Sequence, residues 1–383
     1  MLRLFRRRSG RTTSEEQVDP GFSWEGLKPE DEYLAAVSHR INTSIGRMRK
    51  NPLFASNPVP YLEKYVVSQQ TFLMDTVYSA GMARRLALEP VQRDQHRSLA
   101  HVQSLLMGYI TIGVHVNNQC VGPWHGTGAN RDRLNALTQI HARSLLIAEE
   151  IFCLLLGGFP SGAQALCRTL YELSIIAKVL GSSPAVISRR YQQSHIVELW
   201  RSLEDEHTHG LHHLEPESVA IWNTAKKKFE AVIRRFGREM TQPYGWATPL
   251  FNAREEGRRK RRVTFSDLDV LVGETERRWR YRNASHYVHA AHLGTVKSVA
   301  LGDAGVLTVG PRSIGFAEPA TDCLWDLHEI EEVLLRTANK AAGLPEPLYW
   351  LEVQTLSVTS MHLLVNESAG TETLDQLQNQ RVF

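Results

Sequence analysis

Along most of this chain apolar residues return every three or four positions, the period of an amphipathic helix, and only one short stretch alternates as a strand would. Asp31 to Arg49 fits a helix stopped by Asn51-Pro52, and Asn57-Pro58-Val59-Pro60 breaks the chain again. Tyr61 to Leu88 and Val91 to Asn117 are longer helical runs, the second with Leu99, Val102, Leu105, Leu106 and Tyr109 along one side. Asn118 to Asn130, rich in Gly and Asn, is the clearest internal boundary. Four more helices are predicted at Arg131 to Leu156, Ala163 to Leu180, Pro184 to about Asp205, and Pro216 to Arg238. Ser161 can cap the second of these and Gly181 can end it. Thr264-Phe265-Ser266-Asp267 reads as a helix start with Gly273 as its stop, and Glu274 to His292 as a fresh helix. Val296 to Leu301 and Val306 to Val309 alternate on either side of Gly302-Asp303-Ala304-Gly305 and predict a small β-hairpin. Thr321 to Ala342 and Pro347 to Val365 are the last helices.

The pattern predicts an all-α protein with one small β-hairpin. A central bundle over residues 131–316 would be flanked by helices over 31–130 and by a helical hairpin over 317–366. Residues 1–30 are expected to be a disordered basic tail and 367–383 a polar tail.

Composition narrows the class. Hydrophobic residues make up 42% of 383 positions, enough for a sizeable core. The most apolar run, Leu145 to Phe159, carries Glu149 and Glu150, so it reads as a buried helix and not a membrane span. The N-terminus is basic but has no apolar segment of the secretory kind. Cys120, Cys153, Cys167 and Cys323 show neither zinc nor disulfide spacing and fit a reducing, cytoplasmic location. The net charge of +3 is uneven: Arg254 to Arg282 holds ten Lys/Arg against six Asp/Glu. Arg258, Arg259, Lys260, Arg261, Arg262, Arg278 and Arg280 can therefore form a docking strip for RNA. The same charges also fit a solvated helix face with i, i+4 pairs.

The chemistry is concentrated in Arg282-Asn283-Ala284-Ser285-His286-Tyr287-Val288-His289. On one continuous helix Arg282, His286 and His289 would share a face. RNA cleavage without metal needs a group to move the proton of the 2′-hydroxyl and a fixed cation to offset charge on the phosphorane. Histidine and arginine suit these tasks. The spacing of Arg282 and His289 resembles the R-x4–6-H motif of the HEPN (higher eukaryotes and prokaryotes nucleotide-binding) superfamily of helical bundles. Many members bearing it are metal-independent ribonucleases, and Asn283 matches the polar residue that often follows the arginine. The resemblance implies that Arg282 holds phosphate, Asn283 orients the site and His289 is the acid/base. Arg280 with His286 satisfies the spacing as well, so two pairs compete.

A second resemblance covers about residues 147–294. Ala163 to Glu172, Arg190-Tyr191, Trp246, and Tyr281 with Ser285, Tyr287, Val288 and His289 resemble an uncharacterised bacterial family catalogued as a domain of unknown function. It implies a helical bundle and assigns no activity. Arg168 and Glu172 can pair within one helix, or Glu172 can brace Arg282 or a histidine, with Tyr281 and Ser285 in support. The dense histidines of Glu206-His207-Thr208-His209-Gly210-Leu211-His212-His213 are a rival metal cluster, but they lie in a predicted loop without a H-E-x-x-H pattern. Phosphate-binding loops, dinucleotide fingerprints and nucleophile elbows are absent from the sequence.

The sequence thus predicts a HEPN-like metal-independent endoribonuclease without cofactor, acting on RNA. By the HEPN resemblance it would be a toxin or phage-defence effector, a homodimer, and the target of an inhibitory protein partner. The alternative is a non-catalytic helical module binding RNA, a nucleotide or a protein.

Overall fold

A computed structural model describes residues 100–121, 130–209, 216–252, 262–274, 277–289, 292–301, 307–308, 310–311 and 315–342, besides Thr43, Arg47 and Lys50. The chain divides into two units, Met1–Pro90 and Val91–Phe383. Everything that follows concerns the second. Apart from Thr43, Arg47 and Lys50, the helices expected over 31–88 lie outside the described residues, as do the one over 347–365 and both tails.

The described helices are α1 (Ala100–His115, continued by a π-helical stretch Val116–Val121), α2 (Arg131–Leu156), α3 (Pro160–Ser182), α4 (Ala185–Thr208) and α5 (Pro216–Phe236). Short 3-10 turns at Arg238–Thr241 and Gly245–Ala247 lead to α6 (Pro249–Asn252). Then come α7 (Phe265–Val272), α8 (Arg278–Val288), α9 (His292–Ser298) and α10 (Ala317–Ala342). The described residues are overwhelmingly helical, and the protein is all-α.

α2, α3 and α10 pack on one another and form the centre. α3 also meets α7 and α8, which explains its wide buried stripe: Ala163, Cys167, Leu170, Tyr171, Ile175 and Val179 all leave solvent. α1 lies against α2 and buries Leu106, Tyr109 and Ile110 fully, with Tyr109 donating to Glu331 of α10 at 2.8 Å. α10, which the sequence places in a flanking hairpin, buries Leu324, Leu327, Ile330, Leu334 and Leu335 in the same core. Burying five such side chains is worth roughly 1.5–3 kcal/mol each.

Helix boundaries have local causes. α3 starts at Pro160, whose fixed φ suits a first helical position, and not behind a Ser161 cap. It runs through Gly181, where a side chain would fall 2.5 Å from Val333 Cγ1 of α10. That glycine permits a close helix crossing and does not end the helix. α7 begins where its sequence says: Asp267 accepts from the Thr264 backbone N–H at 2.8 Å and from its hydroxyl at 2.7 Å. Gly273 closes it with φ 81°, the left-handed conformation of a C-terminal cap.

Among the described residues, antiparallel pairing joins Ala300 with Thr308 and Leu301 with Leu307. Val296 to Ser298, expected in the first alternating run, belong to α9 instead. Among the described residues no helix is long and apolar enough to cross a membrane.

Candidate functional site

Two helices supply the centre. α3 presents Arg168 and Glu172 one turn apart, and α8 packs across it with Tyr281 facing them. Arg168 Nε lies 3.4 Å from Glu172 Oε1. The same guanidinium donates from Nη2 to Tyr281 Oη at 3.1 Å. Nη1 lies 3.1 Å from His289 Nε2. Arginine only donates, so Nε2 is the acceptor in this contact. The Tyr281 hydroxyl in turn donates a hydrogen bond to Glu172 Oε1 at 3.0 Å. Burial raises the Tyr281 pKa and the Arg168 hydrogen bond opposes the rise, so the phenol keeps its proton at neutral pH. Phe265 and Tyr171 flank the Tyr281 ring at centroid distances of 5.0 and 5.6 Å. The result is a cation, a carboxylate, a phenol and an imidazole within one hydrogen-bonded group, fixed from behind by aromatic packing.

Behind this group lies an ionic layer between α8 and α10. Asp322, Asp326 and Glu329 recur at helical spacing on α10. Arg277 bonds Asp326 at 2.5 Å and Glu329 at 3.1 Å, and Arg280 bonds Asp322 at 2.6 Å. Lys178 of α3 bridges Glu274 and Glu329. Arg278 turns the other way, to the fully buried Asp269 at 2.9 Å, which also accepts from Tyr171 Oη at 2.8 Å. Burial pushes the Asp326 carboxyl up and Arg277 holds it back. Burial works against the charge on Arg277, but Asp326 and Glu329 more than offset it. Arg278 and Arg280, both expected on RNA, therefore direct their charge into the protein.

The remaining candidates separate. Arg282 is exposed and, among the described residues, makes no hydrogen bond or ion pair. Asn283 donates to Glu318 Oε1 at 2.5 Å and accepts from Lys297. Ser285 donates back to the Tyr281 carbonyl at 2.8 Å, an intrahelical bond. His286 is partly exposed. His289 is not helical: at φ −94° and ψ 144° it caps α8 in an extended conformation. Arg282, His286 and His289 consequently do not form the single helical face expected from their spacing. The extended cap swings His289 to Arg168 of α3. The corner is fixed by Gly294 of α9, where a side chain would fall 1.8 Å from the His286 carbonyl oxygen.

Arg262 is exposed, and Arg258, Arg259, Lys260 and Arg261 lie outside the described residues. α4 extends through His207 to Thr208 and leaves His207 and His209 exposed, while His212 and His213 are not described. Among the described residues no group of His, Cys, Asp and Glu is arranged to hold a metal ion.

One more device faces the centre. Tyr244 is the only non-glycine described residue with positive φ, at 55°. Such a conformation costs of order 1–3 kcal/mol and persists only when its surroundings enforce it. The buried Arg190 does so: it donates to the Phe236 carbonyl at 2.7 Å and to the carbonyls of Gly245 and Trp246, both at 3.0 Å. Gly245 lets the turn close, since a side chain there would fall 1.9 Å from the Glu239 carbonyl oxygen. Burial, with Glu172 and Tyr281 nearby, raises the Tyr244 phenol to about 12.

Sequence reasoning did not single out Tyr244, Tyr171, Phe265, Arg277, Asp322 or Asp326. Among the acids of α10 only Glu331 left a signal, because it falls on the helix's apolar stripe with Leu324, Leu327 and Leu334, where a carboxylate needs a partner.

Residues 134–305 match a family of unknown function (DUF5677). That span holds Arg168, Glu172, Tyr244, Tyr281 and His289, and excludes α10. No curated protein matches the chain, and no solved structure does.

Proposed function

We propose that the protein is a metal-independent endoribonuclease of HEPN type, with the Arg168–Glu172–Tyr281–His289 group as its reaction centre. The observation carrying this reading is the contact of Arg168 Nη1 with His289 Nε2 at 3.1 Å. It joins a phosphate-binding cation to an acid/base whose lone pair points at the place a phosphate would occupy. When an RNA phosphate arrives, the guanidinium exchanges His289 for a phosphate oxygen and frees Nε2. Nε2 then removes the 2′-hydroxyl proton and the 2′-oxygen attacks phosphorus. The P–O5′ bond breaks, and the imidazolium returns its proton to the leaving oxygen. The products are a 2′,3′-cyclic phosphate and a 5′-hydroxyl. Tyr281 and Glu172 hold Arg168 in place throughout.

Arg282, exposed and directly following Tyr281 on α8, meets RNA phosphate on approach with the strip around Arg262. His286 of the competing pair stands one turn before His289. Trp279, Val288, Leu293 and Val296 are exposed apolar residues of α8 and α9. A second copy of the chain or an inhibitory protein would cover residues of this kind, and a toxin or phage-defence role would need such control. The second reading, a module that binds without cleaving, draws on the internal pairing of Arg278 and Arg280. The test is RNA cleavage by the purified full chain in excess EDTA, with Arg168→Ala and His289→Ala. Persistent cleavage in both variants removes the assignment, and binding without cleavage selects the module.

A further inference from the structure

Beside the reaction centre a cleft of about 310 Å³ opens between α4 and the turn that carries Tyr244. Its walls include Tyr191, Ser194, Arg201, Gln242, Tyr244 and Trp246. The volume is at the lower end of ligand sites, sized for one nucleotide-scale group. Tyr191 and Trp246 meet edge to face at 5.2 Å. Tyr244 continues the aromatic surface toward the centre, 6.1 Å from Phe265, which lies 5.0 Å from Tyr281. Ser194, Gln242 and Arg201 supply hydrogen-bonding groups in the same walls. The enforced left-handed Tyr244 sits where cleft and centre join, and backbone strain of this kind collects at ligand sites.

We infer that this cleft binds a nucleobase, and that the base belongs to the nucleotide whose phosphate Arg168 receives. The partly exposed rings of Tyr191 and Tyr244 can stack a base, with Trp246 buried against Tyr191, while the side-chain amide, hydroxyl and guanidinium can read its edge. The position relative to the phosphate rests on the ribonuclease reading. Base binding itself does not.

The test uses the full chain and a fluorescein-labelled single-stranded RNA 12-mer, 2′-O-methylated throughout so that it has no nucleophile, followed by anisotropy. A matching oligonucleotide with abasic sites keeps the backbone charge and lacks the rings. Wild type is expected to bind the abasic probe at least about tenfold more weakly than the base-bearing one. Ser194→Trp, which fills the cleft, and Gln242→Ala with Arg201→Ala are expected to lose most of that difference. Competition by adenosine 5′-monophosphate shows that a free nucleotide suffices, and failure of the mononucleotide where the 12-mer binds assigns the base to an RNA chain. Both results carry the inference. Equal binding of the two probes by wild type overturns it, whether or not Ser194→Trp folds. Cleavage is scored separately on unmodified RNA. A wild type that never cleaves but discriminates the probes keeps the base site and removes the ribonuclease. A wild type that cleaves through His289 without discriminating does the reverse.

Discussion

Tyr281→Phe deletes one oxygen from the middle of the proposed centre and leaves the ring. The hydroxyl accepts from Arg168 at 3.1 Å and donates to Glu172 at 3.0 Å. A hydrogen bond to a charged partner contributes about 1.5–3 kcal/mol when it is well shielded. Arg168 and Glu172 keep 23% and 28% of their side-chain surface exposed, which places both bonds near or below the lower end. Stacking against Phe265 and Tyr171 survives the substitution. The expected loss is therefore about 2 kcal/mol of folding stability, read from urea unfolding curves at neutral pH with an unchanged slope. The loss should also be coupled to Arg168. In a cycle with Arg168→Met the double variant should be about 1 kcal/mol less destabilised than the sum of the single ones, because the two changes remove a shared bond. Arg168 also loses an anchor, so RNA cleavage should fall while the protein stays folded. A destabilisation below about 0.5 kcal/mol with strict additivity refutes the reasoning. It would mean that water replaces the hydroxyl at no cost and that Arg168 is positioned by something else.

Other consequences follow from the same geometry. Gly294→Ala places a carbon 1.8 Å from the His286 carbonyl oxygen, so the α8–α9 corner must shift. The expected cost is about 1–3 kcal/mol, with a change in the His289 imidazole NMR signals, and unchanged signals contradict the proposed role of the corner. Arg190→Met leaves the carbonyl oxygens of Gly245 and Trp246 in the Tyr244 turn, and of Phe236 at the end of α5, without this donor and should cost roughly 3 kcal/mol or more by denaturant unfolding, while a loss under 1 kcal/mol shows that the turn holds itself. His141 is wholly buried, and burial lowers its pKa from 6.5 to about 4. Glu331, 3.8 Å from Nε2, favours the charged ring, but among the described residues Nε2 has no hydrogen-bond partner and burial prevails. The unfolded chain then takes up the proton first as pH falls. This contribution is fully present above about pH 6.5 and is lost on the way down to about pH 4, by up to roughly 3 kcal/mol at 1.36 kcal/mol per unit. His141→Gln should flatten that acid limb, and identical pH profiles for the two proteins exclude His141 as its source.

Local signals were legible where chain chemistry alone decides them. The span of α2 and the start and stop of α7 follow from apolar period, Asp267 and Gly273, all readable in order along the chain. Contacts between distant segments were not. The pairing of Arg168 with Glu172 is local and visible, but its reach to Tyr281 and His289 depends on α3 crossing α8. The extended backbone at His289 depends on Gly294 packing against His286, which no helical spacing reveals. Gly181 misleads for the same reason: it serves a neighbouring helix, and its own helix continues. The charges of Arg278 and Arg280 looked available because their acids lie 9 residues before and 42 residues after them, in elements whose packing the sequence does not state. The basic run from Arg258 to Arg261 lies outside the described residues.

The most direct test is an RNA digest by the purified full chain in excess EDTA, comparing wild type with Arg168→Ala, His289→Ala and Arg282→Ala. Cleavage to 2′,3′-cyclic phosphate ends by wild type, lost at least about a hundredfold in Arg168→Ala and His289→Ala and more mildly in Arg282→Ala, is the predicted result. Cleavage retained in Arg168→Ala but abolished in Arg282→Ala contradicts it, because the cation serving His289 would then be the one on its own helix and not the one across from it on α3.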